Sequence, residues 1–132
     1  MESNSTITWP KPLSSIIGAA DDAASWNPIV ADLLPGQGVL ELGSVLSLDA
    51  ASGKMKLTDA TTYATVYGIL LETIDTGTDA LATTEFAAQV ARAGSFKAVE
   101  LSLATGADIK LCADALRKNG IYLEGAAHFV PA

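Results

Sequence analysis

The chain has 132 residues, of which 15 are acidic and 8 are basic, so its formal net charge is −7. Hydrophobic residues make up 49% of the chain and charged residues only 17%, a composition that excludes an intrinsically disordered protein. The acidic balance argues against nucleic-acid binding, and no apolar run approaches the roughly 18 residues of a membrane span.

Alanine supplies much of the hydrophobic total. The chain has 23 alanines, whereas aromatic residues make up only 6%. Each alanine buries little area, so the apolar surface that a single folded domain of this length can bury is modest. This composition suggests a domain that gains stability from a partner surface.

The first 28 residues differ from the rest of the chain. Residues 6–9 alternate small polar with large apolar side chains, which is typical of a strand with one buried face, and Pro10 ends the pattern. Residues 18–25 are small and flexible enough to form a linker, although a short helix within 13–28 fits as well. We therefore divide the chain into an arm and linker, 1–28, and a β-rich domain, 29–132. The arm is either an ordinary frayed terminus or a segment that docks on a partner.

The domain is predicted to be mainly β with short helices. Apolar alternation and turn residues predict a hairpin with strands at 44–48 and 54–57 around a turn at 49–53. An almost continuous apolar run at 66–71 is typical of a buried strand. Further strands are predicted at 85–93 and 121–123, and apolar residues alternate again over 99–103.

One helix is predicted near the end of the domain. Thr105 and Asp108 have the spacing of a capping box, in which the threonine caps the helix. Asn119 and Gly120 supply a left-handed stop. The apolar stripe of this helix is formed by Ile109, Cys112, Ala113 and Leu116.

Residues that could carry catalysis or hold a ligand lack the context for it. Cys112, the only cysteine, excludes an internal disulfide and lies on the apolar stripe, where a cysteine is usually a small core residue. His128 is the only histidine, and no pattern places it beside a nucleophile. The glycines at 36 and 38 lack the third glycine of a dinucleotide fingerprint. We expect no enzyme activity, no cofactor, no metal site and no small-molecule substrate.

Residues 29–124 resemble the lambda-type phage head decoration proteins in an ordered series of segments. Residues 38–54 are similar to a leucine-x-x-glycine-threonine-valine-leucine strand that leads to a serine-glycine-lysine hairpin, with Ser44 where threonine is common. Residues 66–70 are similar to the valine-glycine-isoleucine-leucine strand of that family. The series continues through residues 72–75, 90–96 and 99–101, the closing helix and residues 120–123.

The resemblance implies a β-rich body that assembles as a homotrimer on the outer surface of the expanded capsid. There it would sit at three-fold positions, clamp adjacent major capsid subunits and bind neither nucleic acid nor membrane. The N-terminus lacks a secretory signal pattern, so synthesis in the host cytoplasm is expected. The arm would order on the capsid, and its expected contact residues are Thr6, Ile7, Thr8, Trp9, Leu13, Ile16 and Ile17.

A second interpretation is a small β-rich module that binds protein or carbohydrate, either tail-associated or non-viral. Trp26 and Tyr63, which lie next to predicted loops, would be its contact residues.

Overall fold

The computed structural model of the chain describes residue 16 and residues 26–124. Regular structure in this part is mainly β, with one α-helix and two 3₁₀ turns, Tyr63–Thr65 and Ala98–Glu100, which confirms the predicted class. The elements are β1 (Ile29–Leu33), β2 (Val39–Leu40), β3 (Val45–Asp49), β4 (Lys54–Leu57), β5 (Val66–Leu70), β6 (Ile74–Asp75), β7 (Phe86–Ala91), β8 (Gly94–Lys97), α1 (Ile109–Lys118) and β9 (Ile121–Glu124).

Five of the strands close into a small barrel in the order β1-β4-β3-β5-β7. Its neighbouring strands are antiparallel except β1 and β4, which are parallel. β1 pairs with β7 over its whole length, whereas it meets β4 at the single pair Leu33–Met55. The barrel is therefore closed by a very short seam. β2 pairs with β6, and β8 pairs with β9 in parallel, as two small additional sheets.

The side chain of Gln37 extends the seam between β1 and β4. Its amide oxygen accepts a hydrogen bond from the Leu57 N–H at 2.8 Å. Its amide nitrogen donates to the Met55 carbonyl at 3.2 Å and to the Leu34 carbonyl at 2.8 Å. The Leu34 N–H also donates to the Met55 carbonyl, at 2.9 Å. The Gln37 amide thus pairs with β4 as a peptide group of a neighbouring strand would.

We expect Gln37→Ala to lower the free energy of unfolding by about 1–3 kcal/mol, because it leaves the partly buried Leu57 N–H of β4 without its acceptor. Urea unfolding would measure the change. Gln89→Ala is the matched control, since Gln89 is an exposed residue of β7, and its effect should stay within about 0.5 kcal/mol. Equal effects of the two substitutions would show that the Gln37 amide does not stabilise the seam.

The barrel interior is one of two hydrophobic cores in the described part of the chain. It is filled by side chains of modest size from β1, β2, β3, β4, β5 and β7: Ala31, Leu33, Leu40, Leu46, Met55, Leu70, Ala88 and Val90. Gly68 lets β5 and β7 approach closely, because a Cβ at this position would lie 2.7 Å from the Val90 Cγ1 and against the Ala91 carbonyl oxygen. The close approach of β5 and β7 therefore requires a residue without a side chain at position 68.

Gly68→Ala should destabilise the protein by about 1–3 kcal/mol, because the added methyl group meets backbone that cannot move without opening the β5–β7 pairing. Thermal unfolding followed by circular dichroism would measure the loss. Ala87→Ser, on the exposed face of β7, is the control and should be nearly neutral. A Gly68→Ala protein as stable as the control would contradict the close approach of the two strands.

The second core lies between the barrel wall, α1 and the β8–β9 sheet. Trp26 and Phe96 pack in it with ring centroids 5.5 Å apart. The other fully buried side chains are Ile16, Val45, Ile69, Ala91, Cys112, Leu116 and Ile121, with Leu42, Val66 and Leu71 nearly so. Ile16 and Trp26, which we assigned by sequence to the arm and linker, therefore belong to the core of the body.

The predicted strands are confirmed, and the details of the helix are corrected. The 44–57 hairpin is present, with Leu46 opposite Leu57, and β5, β7 and β9 lie where predicted. The helix begins at Ile109, three residues later than a Thr105 cap requires. Asp108 is its N-cap, and its Oδ1 accepts from the Lys110 N–H at 3.1 Å. Gly106, with φ +90°, lies in a turn that delays the start of the helix.

Two further expectations differ from the structure. Residues 99–103, which alternate like a strand, lie in and after the 3₁₀ turn Ala98–Glu100. In α1, Ala115 and not Ala113 packs against the second core together with Ile109. The helix does end as predicted, with Asn119 as C-cap and Gly120 at φ +90°.

Candidate functional site

Of the predicted contact residues of the arm, Ile16 alone lies in the described part of the chain. Thr6, Ile7, Thr8, Trp9, Leu13 and Ile17 lie outside the described residues, as does His128. Ile16 is described and has no exposed surface. Its carbonyl accepts a hydrogen bond from the Lys97 N–H at 2.9 Å, so the chain at Ile16 is joined to β8. Ile16 thus anchors the N-terminal segment to the body.

Cys112 is buried in the second core, as its place on the apolar stripe predicted. Burial and, to a smaller extent, the nearby Asp108 carboxylate raise the pKa of its thiol to about 12. The thiol is therefore protonated at neutral pH, and its Sγ lies 3.7 Å from the Asp108 carbonyl. Cys112 packs as a small apolar side chain and is not an exposed nucleophile.

A surface depression, which we call the α1 groove, lies between α1, the turn Tyr63–Thr65 and the start of β5. Its volume is about 610 Å³. The lining residues are Leu48, Tyr63, Ala64, Thr65, Val66, Tyr67, Arg92, Leu111, Asp114, Ala115, Lys118 and Asn119. Leu111 is 56% exposed on the α1 side. The groove therefore offers apolar side chains to whatever fills it.

Hydrogen bonds hold the walls of the α1 groove in place. The Tyr63 hydroxyl accepts from the Asp108 N–H at 2.8 Å, which ties the 3₁₀ turn to the start of α1. At the other end of the helix, the Asn119 side chain donates to the Val66 carbonyl at 2.9 Å. Because both ends of α1 are fixed to the opposite wall, the groove is preformed.

Arg92 is held in a fixed orientation in this groove. Its guanidinium carbon lies 3.8 Å from the centre of the Tyr67 ring, and its Nη1 donates to the Tyr67 carbonyl at 3.2 Å. Lys118 lines the same groove. The only carboxylate among the lining residues, Asp114, is paired with Arg117 at 2.7 Å. The groove therefore keeps a positive charge on an otherwise acidic protein.

A second surface feature is the loop 76–85 between β6 and β7, which we call the Leu81 loop. Leu81 is 89% exposed at its tip, the most exposed large hydrophobic residue in the described part of the chain. Thr76 is buried and fixes the start of the loop: its hydroxyl donates to the Gly38 carbonyl at 2.8 Å and accepts from the Gln37 N–H at 2.9 Å. Ala80 packs directly against Gly36. The loop is thus held against the turn at residues 36–38 while Leu81 projects outward.

The turn after β4 carries a strongly stabilised carboxylate. Asp59 Oδ1 accepts from both the hydroxyl and the N–H of Thr61, at 2.7 and 2.9 Å, and Lys56 lies 3.3 Å from Oδ2. These hydrogen bonds, together with the Lys56 charge, hold the pKa of Asp59 far below its usual range. The turn also lies over a buried hydroxyl pair, Ser47 and Thr58, whose oxygens are 2.6 Å apart.

Because the pKa of Asp59 is lowered in the folded state, its stabilising effect is complete above the unfolded value of about 4 and is lost as the pH falls below it. We expect Asp59→Asn to flatten the decrease of stability below about pH 4. Urea unfolding at several pH values would measure this. Asp79→Asn, at an exposed loop carboxylate, is the control. An unchanged pH profile in the Asp59 variant would contradict the role of this turn.

The main surface features of the described residues are the α1 groove and the Leu81 loop. Within residues 26–124 and Ile16, no group of three or more His, Cys, Asp or Glu side chains is arranged to hold a metal ion. The same part of the chain contains no helix that is long and apolar enough to cross a membrane. Trp26, a predicted contact residue of a binding module, is buried, whereas Tyr63 does line the α1 groove.

No protein-family model matches the sequence, and the search of curated proteins finds no match. The resemblance of residues 29–124 to head decoration proteins therefore stays a prediction.

Sequence reasoning did not find the α1 groove or the Leu81 loop. The groove combines side chains from β3, β5, the 3₁₀ turn, α1 and the residue after β7, which no local pattern brings together. The loop did carry a signal, because an isolated leucine among Thr, Gly, Asp and Ala is unusual. Its exposure, however, depends on contacts with residues 36–38.

Proposed function

We propose that the protein is a head decoration protein that stabilises a phage capsid. It assembles as a homotrimer at three-fold positions on the outer surface of the expanded shell and clamps adjacent major capsid subunits. Its action is binding, with no catalytic step. The proposal rests on the ordered resemblance over residues 29–124 and agrees with the mainly β body.

The observation that carries the proposal is the anchoring of the N-terminal segment at Ile16. The Ile16 side chain is buried in the second core and its carbonyl accepts a hydrogen bond from β8, so the chain is fixed to the body at Ile16. A segment of 15 residues can span as much as about 50 Å when extended. It can therefore reach from the body onto a neighbouring surface while the body remains folded.

The alternation at residues 6–9 suits an arm that adds a strand to an exposed sheet edge of a capsid subunit. In such an addition, backbone hydrogen bonds supply affinity and alternate side chains set the register. Ile7 and Trp9 would then face the capsid. In this proposal Leu13 and Ile17 flank the anchor, and Ile16 belongs to the body.

Three arms on one trimer bind much more tightly than one arm. Ordering a flexible segment costs entropy, which keeps the affinity of a single arm low. Once the first arm is bound, the others are held at high effective concentration near their sites. Trimerisation therefore converts a weak contact into stable attachment.

We expect deletion of residues 1–12 to abolish attachment to expanded capsids while the body keeps its thermal unfolding temperature. This deletion leaves Ile16 in place, whereas a longer one would remove a core residue and confuse binding with folding. Sedimentation of capsids with added protein measures the occupancy. Undiminished occupancy by the truncated chain would contradict the arm mechanism.

Trp9→Ala should weaken attachment at least tenfold, because a buried tryptophan is a typical binding hot spot. Asn4→Ala is the matched control, since Asn4 lies outside the expected contact residues and its side chain would point to the other face of an added strand. Thermal unfolding of the free protein should be unchanged in both variants. If Trp9→Ala destabilised the free protein as much as it weakened attachment, Trp9 would belong to the core.

A further inference from the structure

The Leu81 loop and the α1 groove are complementary in shape and in charge. We propose that the Leu81 loop of one copy inserts into the α1 groove of the next copy, and that this head-to-tail contact forms the trimer. The inference rests on the proposed homotrimer and names the surfaces that build it.

The two surfaces lie at opposite ends of β7. The loop enters β7 at Phe86, and Arg92 of the groove follows Ala91, the last residue of the strand. Six residues of extended strand correspond to about 20 Å. The loop is also fixed to residues 36–38 through Thr76, so it cannot swing round to its own groove. A loop that fills the groove must therefore come from a second copy.

The apolar side chains of the two surfaces match. Leu81 is 89% exposed on a loop that holds it outward, and Leu111 is 56% exposed on the wall of the groove. The groove volume of about 610 Å³ is large enough to admit a leucine side chain with its neighbouring backbone. Inserting Leu81 beside Leu111 covers both leucines, which are among the most exposed large hydrophobic residues of the described chain.

The charges of the two surfaces are opposite. Residues 57–91 contain no lysine or arginine, and the Leu81 loop carries Asp79 and Glu85. The groove carries Arg92 and Lys118, while its carboxylate Asp114 is neutralised by Arg117. Opposite potentials on two docking patches speed the encounter and select the correct orientation. They also make two loops, or two grooves, repel each other.

Contact between two different patches is heterologous, and such a contact closes into a ring when the rotation between copies divides a full turn evenly. Three copies related by a third of a turn would each give one loop and receive one. The same contact would place the three N-terminal anchors at equal distances around the ring axis.

Substitutions on either side test the contact. Leu81→Asp and Leu111→Asp should each lower the self-association constant of the full chain at least tenfold, measured by sedimentation velocity with folding checked by circular dichroism. Val99→Asp is the control, since Val99 is a similarly exposed apolar residue outside both surfaces. Unchanged association in either variant, or equal loss in the control, would overturn the inference.

Mixing the two variants tests the head-to-tail arrangement directly. The Leu81→Asp chain keeps an intact groove and the Leu111→Asp chain keeps an intact loop, so the mixture should form a 1:1 complex that neither variant forms alone. Absence of this complex would overturn the inference. A wild-type chain that stays monomeric up to about 1 mM would also overturn it, because a contact too weak to form there has a Kd above the millimolar range.

Failure of this inference and failure of the proposed function give different results. Wild-type chains that associate through the loop and groove, yet do not bind expanded capsids, would support the contact and contradict the decoration function. If the protein bound capsids but its self-association were insensitive to both leucine substitutions, the decoration function would be supported and the loop-groove contact contradicted.

Discussion

Closure of the barrel between β1 and β4 is the constraint on which the rest of the structure depends. The two strands share one backbone pair, Leu33–Met55, and the Gln37 side chain supplies the hydrogen bonds that a longer strand would have made. A five-stranded barrel has a narrow interior, so its core consists of aliphatic side chains and alanines. Larger side chains in this interior would force the seam open.

The same seam links the barrel to the surface features. Gln37 is part of the turn whose neighbours, Gly36 and Gly38, bond to the start of the Leu81 loop. The turn therefore has two roles: its glutamine side chain closes the barrel, and its backbone fixes the exposed loop. On the other side of the barrel, α1 covers the second core and leaves the groove between itself and the 3₁₀ turn. The acidic Leu81 loop is thus fixed by the turn at residues 36–38, and the basic α1 groove is formed where α1 covers the second core.

Local patterns were sufficient to predict the elements whose formation depends on neighbours in sequence. The 44–57 hairpin, β5 and β9 follow from alternation and turn residues, and the end of α1 follows from Asn119 and Gly120. The start of α1 was predicted wrongly because Thr105 and Asp108 have the spacing of a capping box, whereas the turn at Gly106 makes Asp108 itself the cap. Barrel closure could not be predicted, because it depends on a parallel pair and a side-chain amide that join residues about 20 positions apart. Ile16 and Trp26 were misplaced for a related reason: each sits in a stretch without periodicity, and only the second core identifies them as buried.

The burial of Ile16 has a mechanical consequence. A force transmitted along the chain to Ile16 is resisted there by side-chain packing in the second core and by a hydrogen bond to β8. Extracting a buried isoleucine of this kind costs about 2–5 kcal/mol, judged by the effect of truncating such side chains to alanine. Trp26, ten residues further along, is buried in the same core and packs against Phe96. The second core therefore holds the chain at both Ile16 and Trp26, and it bears tension at these two residues before the seam between β1 and β4 is loaded.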